Sequence, residues 1–216
     1  MRDALAERRV LVDGEIETDG LREIGRFTRI ELDGKILQGE EVLYLMLHKP
    51  AGYLSATEDR EHPTVMELID EALRKDLHLA GRLDRASTGL LLLTNDGNWS
   101  KRITEPVEEI AKVYRVTTLD DISPNTAEAF ARGMYFAYED HTTRPASLEI
   151  VAPREAIVTI HEGRYHQVKR MFHAVGNRVM SLHRERIGPL ALGDLAVGKC
   201  RRLSLEEVGI FPTSGG

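Results

Sequence analysis

Asp84 stands between two arginines in Gly81-Arg-Leu-Asp-Arg-Ala-Ser-Thr-Gly89, a polar turn that runs straight into Leu90-Leu-Leu-Leu93 and then Thr94-Asn-Asp-Gly97. Four consecutive leucines closed by turn residues describe a short strand buried on both faces. A loop fixed to a central strand can hold one reactive side chain rigidly at a cleft. An ionised carboxylate held that way serves as a nucleophile or as a base. The plainer alternative is a turn or cap carboxylate, the usual lot of an aspartate in a loop.

Two other stretches put polar groups where chemistry could use them. Residues 165–175 read as an amphipathic helix, with Tyr165, Val168, Phe172 and Val175 on one face and His166, Lys169, Arg170 and His173 on the other. Solvation alone accounts for most basic helical faces. Lys112-Val-Tyr-Arg-Val116 alternates as a strand would, aiming Lys112, Tyr114 and Val116 to one side. A strand tyrosine is ordinarily core. His161, His166, His173 and His183 raise the question of a metal. Their spacings of five, seven and ten do not put two on one helical turn, and no acidic pattern accompanies them, so no metal is expected.

The elements that must carry these residues mix without a βαβ rhythm. Strands are expected over 43–47, 90–93, 114–118, 146–151 and 156–161, and helices over 67–74, 98–104, 126–132 and 165–175. This order points to an α+β fold with a mainly antiparallel sheet. Residues 1–41 differ. Asp13-Gly14 and Asp33-Gly34 each sit between short apolar-alternating runs, a hairpin signal. The expected division is 1–41 as an appendage and linker, 42–208 as the main domain, and 209–216 as a flexible tail.

A chain of 216 residues with 42% hydrophobic and 30% charged content suits one globular core with a small appendage. The single cysteine, Cys200, excludes an internal disulfide and a cysteine-rich zinc site, and fits the cytoplasm. No stretch approaches membrane-spanning length. A net charge of -6 argues against a nucleic-acid partner, but its distribution argues back. Residues 164–186 carry six basic side chains against one acid, Glu185, a local +5 that leaves -11 for the rest. Screening lets such a patch hold a phosphate backbone on an acidic body.

The run from Gly81 to Gly97 resembles the signature of the RNA pseudouridine synthases, in the branch that modifies bacterial small-subunit ribosomal RNA. The likeness extends over about 42–205. It includes Leu47-His-Lys-Pro-Ala-Gly-Tyr53, His62-Pro-Thr-Val65, Lys112-Val-Tyr-Arg-Val116, Glu162-Gly-Arg-Tyr-His-Gln-Val-Lys-Arg-Met-Phe172 and Leu182-His-Arg-Glu-Arg-Ile-Gly188. His48 departs from it, standing where the family usually has asparagine. Arg9-Val-Leu-Val-Asp-Gly14 resembles the back half of an S4-type RNA-binding domain, whose preceding helix Met1 begins too late to supply.

The resemblance implies the pseudouridine-synthase fold, a long mixed, mainly antiparallel sheet with flanking helices and a central cleft. The implied reaction breaks the N1–C1′ bond of a uridine, turns the base and rejoins it through C5, and calls for neither metal nor cofactor. Asp84 matches the catalytic aspartate, Lys169 the basic residue that keeps it ionised, and Tyr114 the aromatic that packs on the flipped uracil. Arg82, Arg164, His166, Gln167 and Arg170 are implied RNA contacts, with Lys49 a further candidate. The implied partner is 16S ribosomal RNA, at uridine-516, met by a cytoplasmic monomer. Three alternatives stay open: a large-subunit 23S target, a non-catalytic assembly factor, and a hydrolase with paired carboxylates. The hydrolase would need a second placed acid.

Overall fold

The computed structural model describes residues 2–105 and 109–211, and the chain divides into two compact units, Met1–Val42 and Leu43–Gly216. In the first unit the short helix α1 (Arg2–Ala6) precedes β1 (Val10–Val12), β2 (Glu15–Ile16), β3 (Ile30–Leu32) and β4 (Lys35–Gln38). These form an antiparallel sheet in the order β2-β1-β3-β4. Both expected hairpins are present. Asp13 and Gly14 take φ of 53° and 87°, and Asp33 and Gly34 take 51° and 75°, the paired positive values that a tight hairpin turn needs.

The second unit runs β5 (Tyr44–Lys49), β6 (His78–Leu79), β7 (Thr88–Thr94), α2 (Gly97–Thr104), β8 (Lys112–Thr118) and α3 (Asn125–Ala131). It continues through β9 (Tyr135–Phe136), β10 (His141–Thr142), β11 (Ser147–Ala152), β12 (Glu155–Ile160) and α4 (Gln167–Ala174). The last elements are β13 (Val179–Ile187), β14 (Leu190–Ala191), β15 (Cys200–Arg202) and α5 (Leu205–Gly209). Its large sheet has the order β11-β12-β8-β13-β7-β5-β15, with β14 beside β13 and β6 beside β7. Every pairing in it is antiparallel except β13 with β7. The fold is therefore α+β with a long mixed sheet, as the order of elements implied.

Strand β7 is the hinge of the architecture. Leu90 and Leu92 enter one core with Met46, Trp99 and Ile187, while Leu91 and Leu93 enter another with Leu45, Leu47 and Val65. A strand covered on both faces must be apolar at every position, which is why the leucines run without alternation. A third core, around Phe130, Val158 and Phe172, lies under α3 and α4.

Three expectations need correction. Residues 67–74 form two 3-10 turns, Val65–Leu68 and Glu71–Leu73, instead of a helix. Ile69 is extended between them, and the Asp70 carboxylate takes the Ala72 N–H, a local bond that competes with helix propagation. The helix expected over 165–175 starts at Gln167, because His166 has a left-handed backbone with φ of 50°. Tyr165 thus leaves the apolar face and is 74% exposed. The flexible tail expected from 209 is instead packed at Phe211, which is buried edge-on against Trp99; residues 212–216 lie outside the described residues.

Candidate active site

The loop before β7 is fastened at several points. The Ser55 hydroxyl accepts from the Leu83 N–H at 3.0 Å and donates to the Leu83 carbonyl at 2.7 Å. The Lys49 ammonium donates to the carbonyls of Pro50, Arg85 and Ser87 at 3.0, 3.3 and 2.8 Å. From β13, Arg184 Nε donates to the Leu90 carbonyl at 2.8 Å and Nη1 to the Arg82 carbonyl at 3.3 Å. Gly89 lets the two parallel strands meet at this point. Its φ is +108°, and a Cβ there would fall 2.3 Å from the Arg184 carbonyl oxygen. Asp84 sits at the centre of this braced segment.

Helix α4 supplies the groups opposite. Lys169 Nζ donates to Asp84 Oδ2 at 2.6 Å, and His166 Nε2 lies 3.2 Å from Oδ1. The carboxylate side chain keeps 24% of its exposure, so it is paired yet reachable. The turn ahead of α4 is itself ordered by Gln167, whose amide accepts from the Arg164 N–H and donates to Glu162. Glu162 is buried and also takes the Arg144 N–H and the Arg164 guanidinium.

Asp84 borders a cavity of about 590 Å³, a size suited to a small organic group. Tyr114, Ile103, Ile160, Leu182 and Ile187 give it apolar walls, and Lys112 and Arg184 also reach it. The β8 alternation holds, with Tyr114 and Val116 buried and Arg115 exposed between them. Arg184 Nη1 is 3.5 Å from the Tyr114 hydroxyl. Arg82, Arg85, Arg164 and Tyr165 surround the opening. Tyr165 stacks on the His166 ring, with centroids 3.9 Å apart and 17° between planes.

The structure thus brings together Asp84, Lys169, His166, Tyr114, Arg82 and Arg164. Three expected RNA contacts are placed differently. Lys49 has no exposure, and burial pushes its ammonium down to about 8 against the pull of Asp84; it is tied to loop carbonyls and does not face a solvent-borne strand. Gln167 is 3% exposed, with its amide committed within the turn. Arg170 is paired with Glu139 at 2.6 Å and lies 3.8 Å from the Phe136 ring centroid. Arg184, counted in the surface basic patch, is buried at 3%. Sequence reasoning missed Ser55 and Arg184 as loop fasteners. Ser55 carries no signal of its own, and alternation along 179–187 would have turned Leu182 and Arg184 to the same inward face.

An RNA pseudouridylate synthase family model matches residues 43–174, and the chain belongs to that family of isomerases. The relatives narrow the comparison. The chain is 50% identical over 212 residues to the ribosomal small subunit pseudouridine synthase A of Pseudomonas aeruginosa, covering 96% of this chain and 92% of that one. It is 48% identical to the enzyme of the same name from Escherichia coli, over 93% and 87% of the two chains. A solved structure described as a pseudouridylate synthase superposes with a TM-score of 0.77 at 41% identity, covering 98% of this chain and 92% of the other. Among the described residues, no helix is long and apolar enough to cross a membrane.

Proposed function

We propose that this chain isomerises a uridine of 16S ribosomal RNA, uridine-516, with Asp84 as the catalytic residue. The observation that carries the reading is the Asp84 carboxylate at the edge of the cavity, held between Lys169 Nζ and His166 Nε2 at 2.6 and 3.2 Å. The Lys169 ammonium supplies a counter-charge directly beside the carboxylate. The relatives named for the ribosomal small subunit support the choice of RNA.

In this mechanism the target uridine leaves its stack and enters the cavity, because its C1′ is unreachable inside a duplex. Asp84 either adds to C1′ as N1 departs or removes the C2′ proton. The freed uracil turns over the Tyr114 ring, C5 bonds to C1′ as the Asp84 oxygen leaves it or as the proton returns to C2′, and loss of the C5 proton with gain of one at N1 completes pseudouridine. Arg82, exposed two residues before Asp84, contacts the RNA at the opening. Lys49 and Gln167 position the loop and the turn, and the unit Met1–Val42 adds RNA contacts as an S4-like appendage. The chain acts as a monomer in the cytoplasm.

Carbodiimide-blocked reverse transcription of ribosomal RNA from a strain lacking the gene tests this. The expected result is loss of one stop in 16S RNA, restored by the wild-type gene and not by the Asp84→Asn gene. Loss of a stop in 23S RNA instead would move the target to the large subunit.

A further inference from the structure

Two cations reach into the cavity with no acid to meet them. Arg184 is 3% exposed, its Nε and Nη1 are taken by loop carbonyls, and its Nη2 is buried without a hydrogen-bond partner. Lys112 lines the same cavity from β8, two residues before Tyr114 on the same strand face, and its side chain has no hydrogen bond or ion pair among the described residues. Among the described residues lining the cavity Asp84 is the one carboxylate, and Lys169 and His166 already hold it. Burial and the charge of Arg184 push the Lys112 ammonium down to about 8. A half-buried ammonium with no partner still costs stability, and functional sites are where such a cost is kept.

We infer that Lys112 and Arg184 form an anion-stabilising pair for the detached uracil, donating hydrogen bonds to its carbonyl oxygens as the glycosidic bond opens. This rests on the isomerisation proposed above. When N1–C1′ breaks, the bonding electron pair stays on N1 and spreads by resonance to O2 and O4. The sugar carbon is satisfied by the Asp84 oxygen or by loss of its C2′ proton. The base is then a monoanion that must survive long enough to turn. Fixed donors in a water-poor pocket stabilise such charge far better than solvent does, and they need no reorganisation at the moment it forms. The walls decide against a phosphate as the anion. Ile103, Ile160, Leu182, Ile187 and Tyr114 fit a flat heterocycle, whereas phosphates are met by the exposed arginines, Arg82 and Arg164, at the opening.

The test is single-turnover kinetics of Lys112→Met and Lys112→Arg on a 16S RNA fragment, with RNA affinity measured alongside. For Lys112→Met the expected result is a chemical step slowed roughly 10²–10³-fold, the usual loss for one such donor, with RNA affinity within about twofold of wild type. Lys112→Arg should recover part of the rate. A fragment carrying 5-fluorouridine at the target supplies a second arm. Fluorine withdraws electrons and makes the base a better leaving group, so the Lys112→Met defect in bond cleavage should shrink on it. Thermal unfolding guards against simple misfolding, because removing a half-buried charge with no partner should leave Tm at or above the wild-type value. A weakened affinity with an unchanged chemical step would make Lys112 a backbone contact and overturn the inference. An equal defect on both substrates would overturn it too. A wild-type protein inert on every ribosomal uridine would instead bring down the functional reading; a wild-type enzyme matched by Lys112→Met would bring down the pairing alone.

Discussion

A lysine with no exposure and three carbonyl partners acts as a fastener, and Lys49 ties the segment just after Asp84, at Arg85 and Ser87, to β5 in this way. Lys49→Met should therefore lower kcat more than tenfold while leaving RNA affinity within about twofold, checked by steady-state kinetics and filter binding. A loss confined to affinity would return Lys49 to the RNA surface. Tyr114 separates two roles. If its ring packs on the base, Tyr114→Phe keeps affinity and Tyr114→Ala loses about 1–3 kcal/mol of it; a Phe variant that binds but stalls after bond cleavage would assign the hydroxyl to C5 deprotonation. The buried ammonium of Lys49 and the half-buried one of Lys112 also leave a mark on stability. Both have folded pKa values of about 8 against 10.5 in the free side chain, so between those pH values the unfolded chain binds more protons. Their unfavourable contribution is complete below about pH 8 and is relieved as pH rises toward 10.5. Urea midpoints at pH 8 and 10 should show a smaller gain for Lys112→Met than for wild type.

At the scale of elements, the site depends on where β7 meets β13. Gly89 has a left-handed backbone and no room for a Cβ against Arg184. Gly89→Ala should cost more than about 2 kcal/mol in denaturant unfolding and pull the Asp84 loop off its mark; a variant as stable and active as wild type would mean that the junction is soft. This junction also explains what the sequence made legible. Leu90 to Leu93 announce a central strand because both faces are covered, and the Asp-Gly turns of the first unit announce hairpins because few residues tolerate paired positive φ. Residues 67–74 mislead, because helix-forming residues there are overruled by an extended Ile69 and the Asp70 side chain. β13 hides because its charged residues read as a solvated patch, although Arg184 points inward to loop carbonyls. The pairing of Lys169 with Asp84, 85 positions apart, rests on family likeness in the sequence and on geometry in the fold.

For the whole molecule, charge is the first quantity to measure. The net charge is -6, and part of the basic stretch is internally spent: Arg170 is paired with Glu139 and Arg184 is buried. RNA affinity should still fall steeply with salt through the arginines at the cavity opening. Arg82→Ala and Arg164→Ala should each flatten the log K against log salt slope by about 0.7–0.9, the loss of one phosphate contact. An unchanged slope in the double variant would put the RNA on another face. The account as a whole stands on Asp84. Its most direct test is single-turnover pseudouridine formation by Asp84→Asn on 16S RNA, with RNA affinity measured on the same preparation. The amide keeps the shape of the carboxylate but can neither add to C1′ nor take a proton. Affinity is expected to stay near wild type and the rate to fall by at least 10²–10⁴-fold. Turnover within about tenfold of wild type would contradict it.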